Sequence, residues 1–124
     1  MKNIIKKLSL SVLFIVFLGA AALADKTSVT IDVVKSAKKG SEITITVNVK
    51  HSANTGFHHT EWVYIKINGI EVKRWDFSKT NLPSSENFTL TFKYIFNEAV
   101  KIEAQGNCNL HGSADIAKTD VIVE

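Results

Sequence analysis

Ile43-Thr44-Ile45-Thr46-Val47-Asn48-Val49 alternates apolar and polar side chains without a break. A strand places successive side chains on opposite faces, so this heptapeptide reads as one half-buried strand rich in β-branched residues. The pattern repeats outward in both directions. Val29, Ile31 and Val33 alternate before it; Phe88, Leu90, Phe92, Tyr94 and Phe96 alternate after it. Val100, Ile102 and Ala104 follow, then Val121 and Val123. No stretch has a helical period. About seven short strands with turns between them predict an all-β protein, an immunoglobulin-like antiparallel β-sandwich.

Asn68-Gly69 is the strongest turn signal. It suits a two-residue type I′ hairpin loop, in which both central residues need positive φ. An unbroken ladder from that turn pairs Ile67 with Ile70, Lys66 with Glu71, Ile65 with Val72, Tyr64 with Lys73, Val63 with Arg74 and Trp62 with Trp75. Lys38-Lys39 reads as a turn before Gly40, and Asn81 to Ser85 as a loop holding the single proline, Pro83, where no ladder donor is needed.

The first 24 residues stand apart. Lys2, Lys6 and Lys7 precede an apolar run from Leu8 to Ala22, and Ala22-Leu23-Ala24 is an A-x-A site. This is the pattern of a cleaved secretory signal, with Asp25 as the new first residue. The run is short for a membrane span, which needs about 20 apolar residues. No cysteine follows it to take a lipid. The expectation is a periplasmic or otherwise exported protein, with residues 1–24 as signal peptide and 25–124 as one domain. Three of the 15 basic residues and none of the 12 acidic ones lie in the signal, so the remainder is nearly neutral. That excludes nucleic acid as a partner and leaves no basic cluster for a membrane surface.

Cys108 is the only cysteine, so no internal disulfide can form. His111 lies three residues beyond it, and the other histidines, His51, His58 and His59, fall within nine residues. His51 directly follows the Ile43–Val49 strand, and Cys108 and His111 lie in the loop after Val100–Ala104. If those strand ends are neighbours, both clusters meet at one rim of the sandwich. A thiolate with several imidazoles suits iron, copper or zinc. A lone cysteine can also be a small buried hydrophobe, and paired loop histidines can be solvated surface. Yet an exposed thiol in an oxidising compartment is prone to oxidation, and ligation would explain its retention.

Cys108-Asn-Leu-His111-Gly112 resembles the Cys-Asn-x-His-Gly loop of the superoxide reductases, the desulfoferrodoxin and neelaredoxin iron proteins. His51-Ser-Ala-Asn-Thr-Gly-Phe-His58-His59-Thr-Glu-Trp62 resembles their His-Pro-Asn-Thr-x-x-His-His-x-x-Trp stretch. The resemblance implies a mononuclear non-haem iron with equatorial imidazoles, an axial thiolate and one open position. There superoxide takes one electron and leaves, protonated, as hydrogen peroxide; an electron-donor protein must resupply the electron. Residue by residue it implies Cys108 as axial ligand and His51, His58 and His111 as equatorial ligands. Three departures stand out. The His51–His58 spacing is one residue longer and Ser52 replaces proline. The family's N-terminal Glu-Lys-His stretch, which supplies a fourth imidazole, is matched only by Asp25-Lys26-Thr27. Lys26 is then the candidate for the lysine that attracts superoxide, no glutamate stands ready to cap oxidised iron, and His59 is a candidate fourth imidazole.

Two other classes fit parts of the pattern. A cupredoxin-like copper electron carrier uses two histidines, a cysteine and a weak axial methionine. His51, Cys108 and His111 imitate that set, but Ile116 stands where the methionine would fall and Met1 is the only methionine. A non-catalytic carrier or docking domain would need no metal at all. Cys108 with His111 makes a poor nucleophile–base pair in so tight a loop. Asn87-Phe88-Thr89 is a formal glycosylation sequon placed inside a strand.

Overall fold

The computed structural model describes residues 26–124, so the signal-like segment of residues 1–24 lies outside the described residues. Eight strands follow one another with no helix among the described residues: β1 (Ser28–Asp32), β2 (Ser36–Ala37), β3 (Ser41–Lys50), β4 (Thr60–Ile67), β5 (Ile70–Asp76), β6 (Asn87–Phe96), β7 (Val100–Cys108) and β8 (Ala117–Val123). They form two sheets, one in the order β1-β3-β6 and the other β2-β8-β7-β4-β5. All pairings are antiparallel except the two-residue β2, which runs parallel to β8. The all-β sandwich expected from the alternation is present, with one short strand more.

The alternation decides what lies between the sheets. Ile45, Val47 and Val49 of β3 are at most 1% exposed, and Val49 faces Phe88 across the ladder to β6. From the opposite sheet come Val63, Ile65 and Ile67 of β4, Val100, Ile102 and Ala104 of β7, and Val121 of β8. A fully buried aliphatic side chain of this size stabilises the fold by about 1.5–3 kcal/mol, so these rows dominate the energetics.

The Asn68-Gly69 turn forms as expected, with φ of 50° and 82°. Asn68 also receives a bond from outside the hairpin, because Lys101 N–H donates to its Oδ1 at 2.9 Å. Ile67 faces Ile70 and Lys66 faces Glu71, but the register then shifts between Ile65 and Lys66. Val72 is the extra residue, so Ile65 faces Lys73, Tyr64 faces Arg74 and Val63 faces Trp75. The expected Trp62–Trp75 pair is therefore corrected by one position: Trp62 faces Asp76. It stacks instead on Tyr64 of its own strand, centroids 5.5 Å apart, under the Arg74 guanidinium. A bulge of this kind leaves one residue unpaired and bends the strand.

β7 is longer than its apolar residues indicate. Inward burial continues from Ala104 through Gly106 to Cys108, so the cysteine is the last residue of the strand rather than part of the following loop.

Candidate metal centre

Each sheet delivers one candidate ligand at the same end of the sandwich. His51 extends the inward row of Val47 and Val49 by one more position and is 4% exposed. Cys108 ends the inward row of β7 and is 1% exposed. Period-two geometry thus aims both side chains between the sheets. Cys108 is paired with Thr60, the first residue of β4, so the loop of residues 51–59 must pass over the cysteine to enter that strand.

That loop carries His58 into the gap. Ligand atoms of His51, His58 and Cys108 lie within 4.8 Å of one another. Two donors held at about 2.0–2.3 Å from one ion stand at most about 4.6 Å apart, so this set is close to coordination spacing. The His58 ring meets His51 edge-on, centroids 4.8 Å apart, and meets His111 edge-on at 5.2 Å. His111 itself is exposed, so the cluster opens to solvent on that side.

His58 Nε2 is buried and has no hydrogen-bond partner. A buried nitrogen left so costs about 1–3 kcal/mol, and a cation would take its lone pair. This orphaned atom, beside a thiol and two further imidazoles, fits a thiophilic transition metal. His59 goes the other way. It is buried, its Nδ1 donates to Thr55 O at 3.0 Å, and its backbone N–H and C=O are both taken by Asn109. Among the described residues the converging set includes neither His59 nor His111, which touches the cluster through its ring contact with His58.

The loop of Cys108 is closed by a reciprocal pair. Cys108 N–H donates to Gly112 O at 2.9 Å and Gly112 N–H returns to Cys108 O at 3.0 Å. Gly112 has φ of 80°, a conformation that other residues adopt at a cost. The N-terminal stretch runs alongside: Thr27 N–H donates to Gly112 O, and Thr27 Oγ1 meets Thr60 Oγ1 at 3.1 Å in the interior. Lys26, half-buried, therefore stands beside the Cys108 loop.

Two asparagines tie the rim together, and the sequence reading did not single them out. Asn109 receives His59 N–H at Oδ1 (3.0 Å) and donates from Nδ2 to Phe57 O (3.1 Å). Asn54 receives Thr60 N–H at Oδ1 (2.9 Å), donates from Nδ2 to Ser85 O (2.6 Å), and faces His51 Nδ1 at 3.3 Å. The available signal was composition: asparagine beside candidate ligands in loops has the donors and acceptors to cross-tie backbone.

The desulfoferrodoxin family model matches residues 20–115 of the chain. Among solved structures, the superoxide reductase (neelaredoxin) of Ignicoccus hospitalis is 21% identical, with 80% of this chain and 83% of that one covered and a TM-score of 0.62. A variant of the superoxide reductase (neelaredoxin) of Archaeoglobus fulgidus, in its reduced form, is 20% identical over 80% and 92%, at a TM-score of 0.58. A CARDB domain from Pyrococcus furiosus, in complex with di-metal ions, is 21% identical over 81% and 94%, at 0.60. Likeness at these identities establishes the sandwich alone, which reductases and CARDB domains share. None of the curated proteins matches the sequence.

Proposed function

The chain belongs to the desulfoferrodoxin family, and from that membership we propose that it is an exported superoxide reductase-type protein holding one non-haem iron. The single observation that carries this reading is the convergence of His51, His58 and Cys108, with the orphaned His58 Nε2 among them. His111 joins as a further imidazole through its contact with His58. The copper reading gains no support from the comparisons.

Iron, when bound, would supply one electron to superoxide. The residues define the rest. Cys108 enters from the buried side, at the end of the core-facing row, where solvent does not reach the sulfur. A thiolate there would hold a bound metal from the buried side and lend it negative charge. His111 sits on the exposed side, where an anion arrives and protons are available. Lys26, on the chain beside the Cys108 loop, adds positive charge to that approach. The electron returns from a donor protein outside this chain. Export rests on the charged start, the apolar run and the A-x-A site of residues 1–24.

Metal analysis with electron paramagnetic resonance on anaerobically purified protein tests the proposal. One iron per chain, silent as isolated and high-spin ferric after oxidation, with superoxide consumed by the reduced form, is the expected result. An axial cupric signal, or protein that takes up no iron on reconstitution, would overturn it.

A further inference from the structure

The amide of Asn54 has only one possible orientation. Thr60 N–H can only donate and Ser85 O can only accept, and they lie 2.9 and 2.6 Å from opposite ends of the Asn54 side chain. Oδ1 must therefore be the atom that faces Thr60, and the same Oδ1 stands 3.3 Å from His51 Nδ1. An amide oxygen has no proton to give. His51 must be the donor, with its proton on Nδ1, and a neutral imidazole then carries its lone pair on Nε2. The backbone of this ring is fixed by the same neighbouring segment, since His51 N–H donates to Glu86 O at 3.1 Å.

We propose that Asn54 is a positioning residue that locks His51 as the Nδ1–H tautomer and so presents Nε2 as its metal-binding atom. The proposal rests on the metal-centre reading for its purpose, but the tautomer is a property of the protein before any metal arrives. A ring nitrogen that donates to a fixed acceptor is the usual means of orienting a ligating histidine, and its loss typically costs 10–100-fold in metal affinity.

Long-range proton–nitrogen NMR on the metal-free, nitrogen-15-labelled protein reads the tautomer directly, and a cobalt(II) titration followed through the sulfur-to-metal band reads the consequence. In the unmodified protein His51 is expected as Nδ1–H. Asn54→Leu should shift it toward Nε2–H and weaken cobalt binding tenfold or more. Asn54→Asp keeps an acceptor oxygen for His51 and Thr60 while giving up the bond to Ser85 O, and should retain the Nδ1–H form at some cost in stability. Finding Nε2–H at His51 in the unmodified protein would overturn the proposal, as would an Asn54→Leu variant with unchanged tautomer and affinity. Should Asn54→Leu fail to fold, the tautomer of the unmodified protein decides: Nε2–H at His51 there counts against the lock. A protein that held no iron would refute the functional reading and leave the tautomer measurement standing.

Discussion

Asn109 donates its side-chain N–H to Phe57 O at 3.1 Å, fifty-two residues back along the chain. Its Oδ1 and backbone N–H engage His59 as well. The residue next to the buried thiol thereby holds the loop that carries His58. Four bonds depend on one side chain and its backbone placement, three of them on the side chain itself, since Cys108 Sγ–H also donates to Asn109 Oδ1 at 4.0 Å. Asn109→Ala should destabilise the fold by about 1–3 kcal/mol, a fall of roughly 4–8 °C in melting temperature per kcal/mol for a domain of this size. Asn109→Asp keeps the acceptor for His59 N–H and should lose about half as much. Thermal denaturation of the three proteins checks this; equal loss in both variants would place the effect elsewhere.

His58 and His59 are adjacent and should respond in opposite ways. His58→Ala removes the orphaned Nε2 and should abolish stoichiometric iron binding. His59→Ala removes a bond to Thr55 O and should leave iron at one per chain while lowering stability by about 1 kcal/mol. Cys108→Ser should erase the sulfur-to-metal absorption band. Iron analysis and visible spectra of the three variants decide; metal loss in His59→Ala would restore it as a fourth imidazole.

Much of this was legible in the sequence, and for a physical reason. Period-two alternation fixed the inward faces of β3 and β7, so the inward aim of His51 follows from Val47 and Val49 by counting. Gln105, Gly106 and Asn107 hid the last turn of that count on β7, because none is apolar, yet Gly106 and Cys108 remain inward. The Asn68-Gly69 turn needed only its two residues. The bulge at Val72 did not announce itself, since Val72 is as good a strand residue as any neighbour. The ties made by Asn54 and Asn109 join positions thirty-one and fifty-two residues apart, and a spacing that long carries no local pattern.

Tyr64 gives the fold a pH dependence of predictable sign. Burial of the phenol, then the charges of Glu103 and Glu71, hold its ionisation above the ordinary 10.0. Its hydroxyl donates to Gln105 Oε1 at 2.6 Å. An acid whose folded value exceeds its unfolded one contributes stability that is complete below the unfolded value and is lost as pH rises through the folded one. Stability should therefore fall more steeply above pH of about 10 in the natural protein than in Tyr64→Phe. Urea midpoints at neutral and alkaline pH measure the difference, which cancels the lysine titrations common to both. Parallel curves would assign the fall to other groups.

Gly106 is where β7 makes room for the N-terminal stretch. A Cβ there would stand 2.7 Å from Thr27 Cγ2 and 3.1 Å from Val29 Cγ1. Both neighbours are buried, and Thr27 is tied through its hydroxyl to Thr60, the strand partner of Cys108. The methyl of Thr27 has nowhere to go without breaking that bond. Gly106→Ala should cost about 1–3 kcal/mol as overpacking, despite alanine's lower backbone entropy. Thr27→Ser deletes the colliding Cγ2 and keeps the hydroxyl. In that background the same Gly106→Ala change should cost at least about 1 kcal/mol less, the coupling expected of side chains in contact. A double-mutant cycle by chemical denaturation measures the coupling directly. Strict additivity would mean that the strand, rather than the Thr27 methyl, yields to the new side chain, and the Cys108 end of β7 would then shift with it.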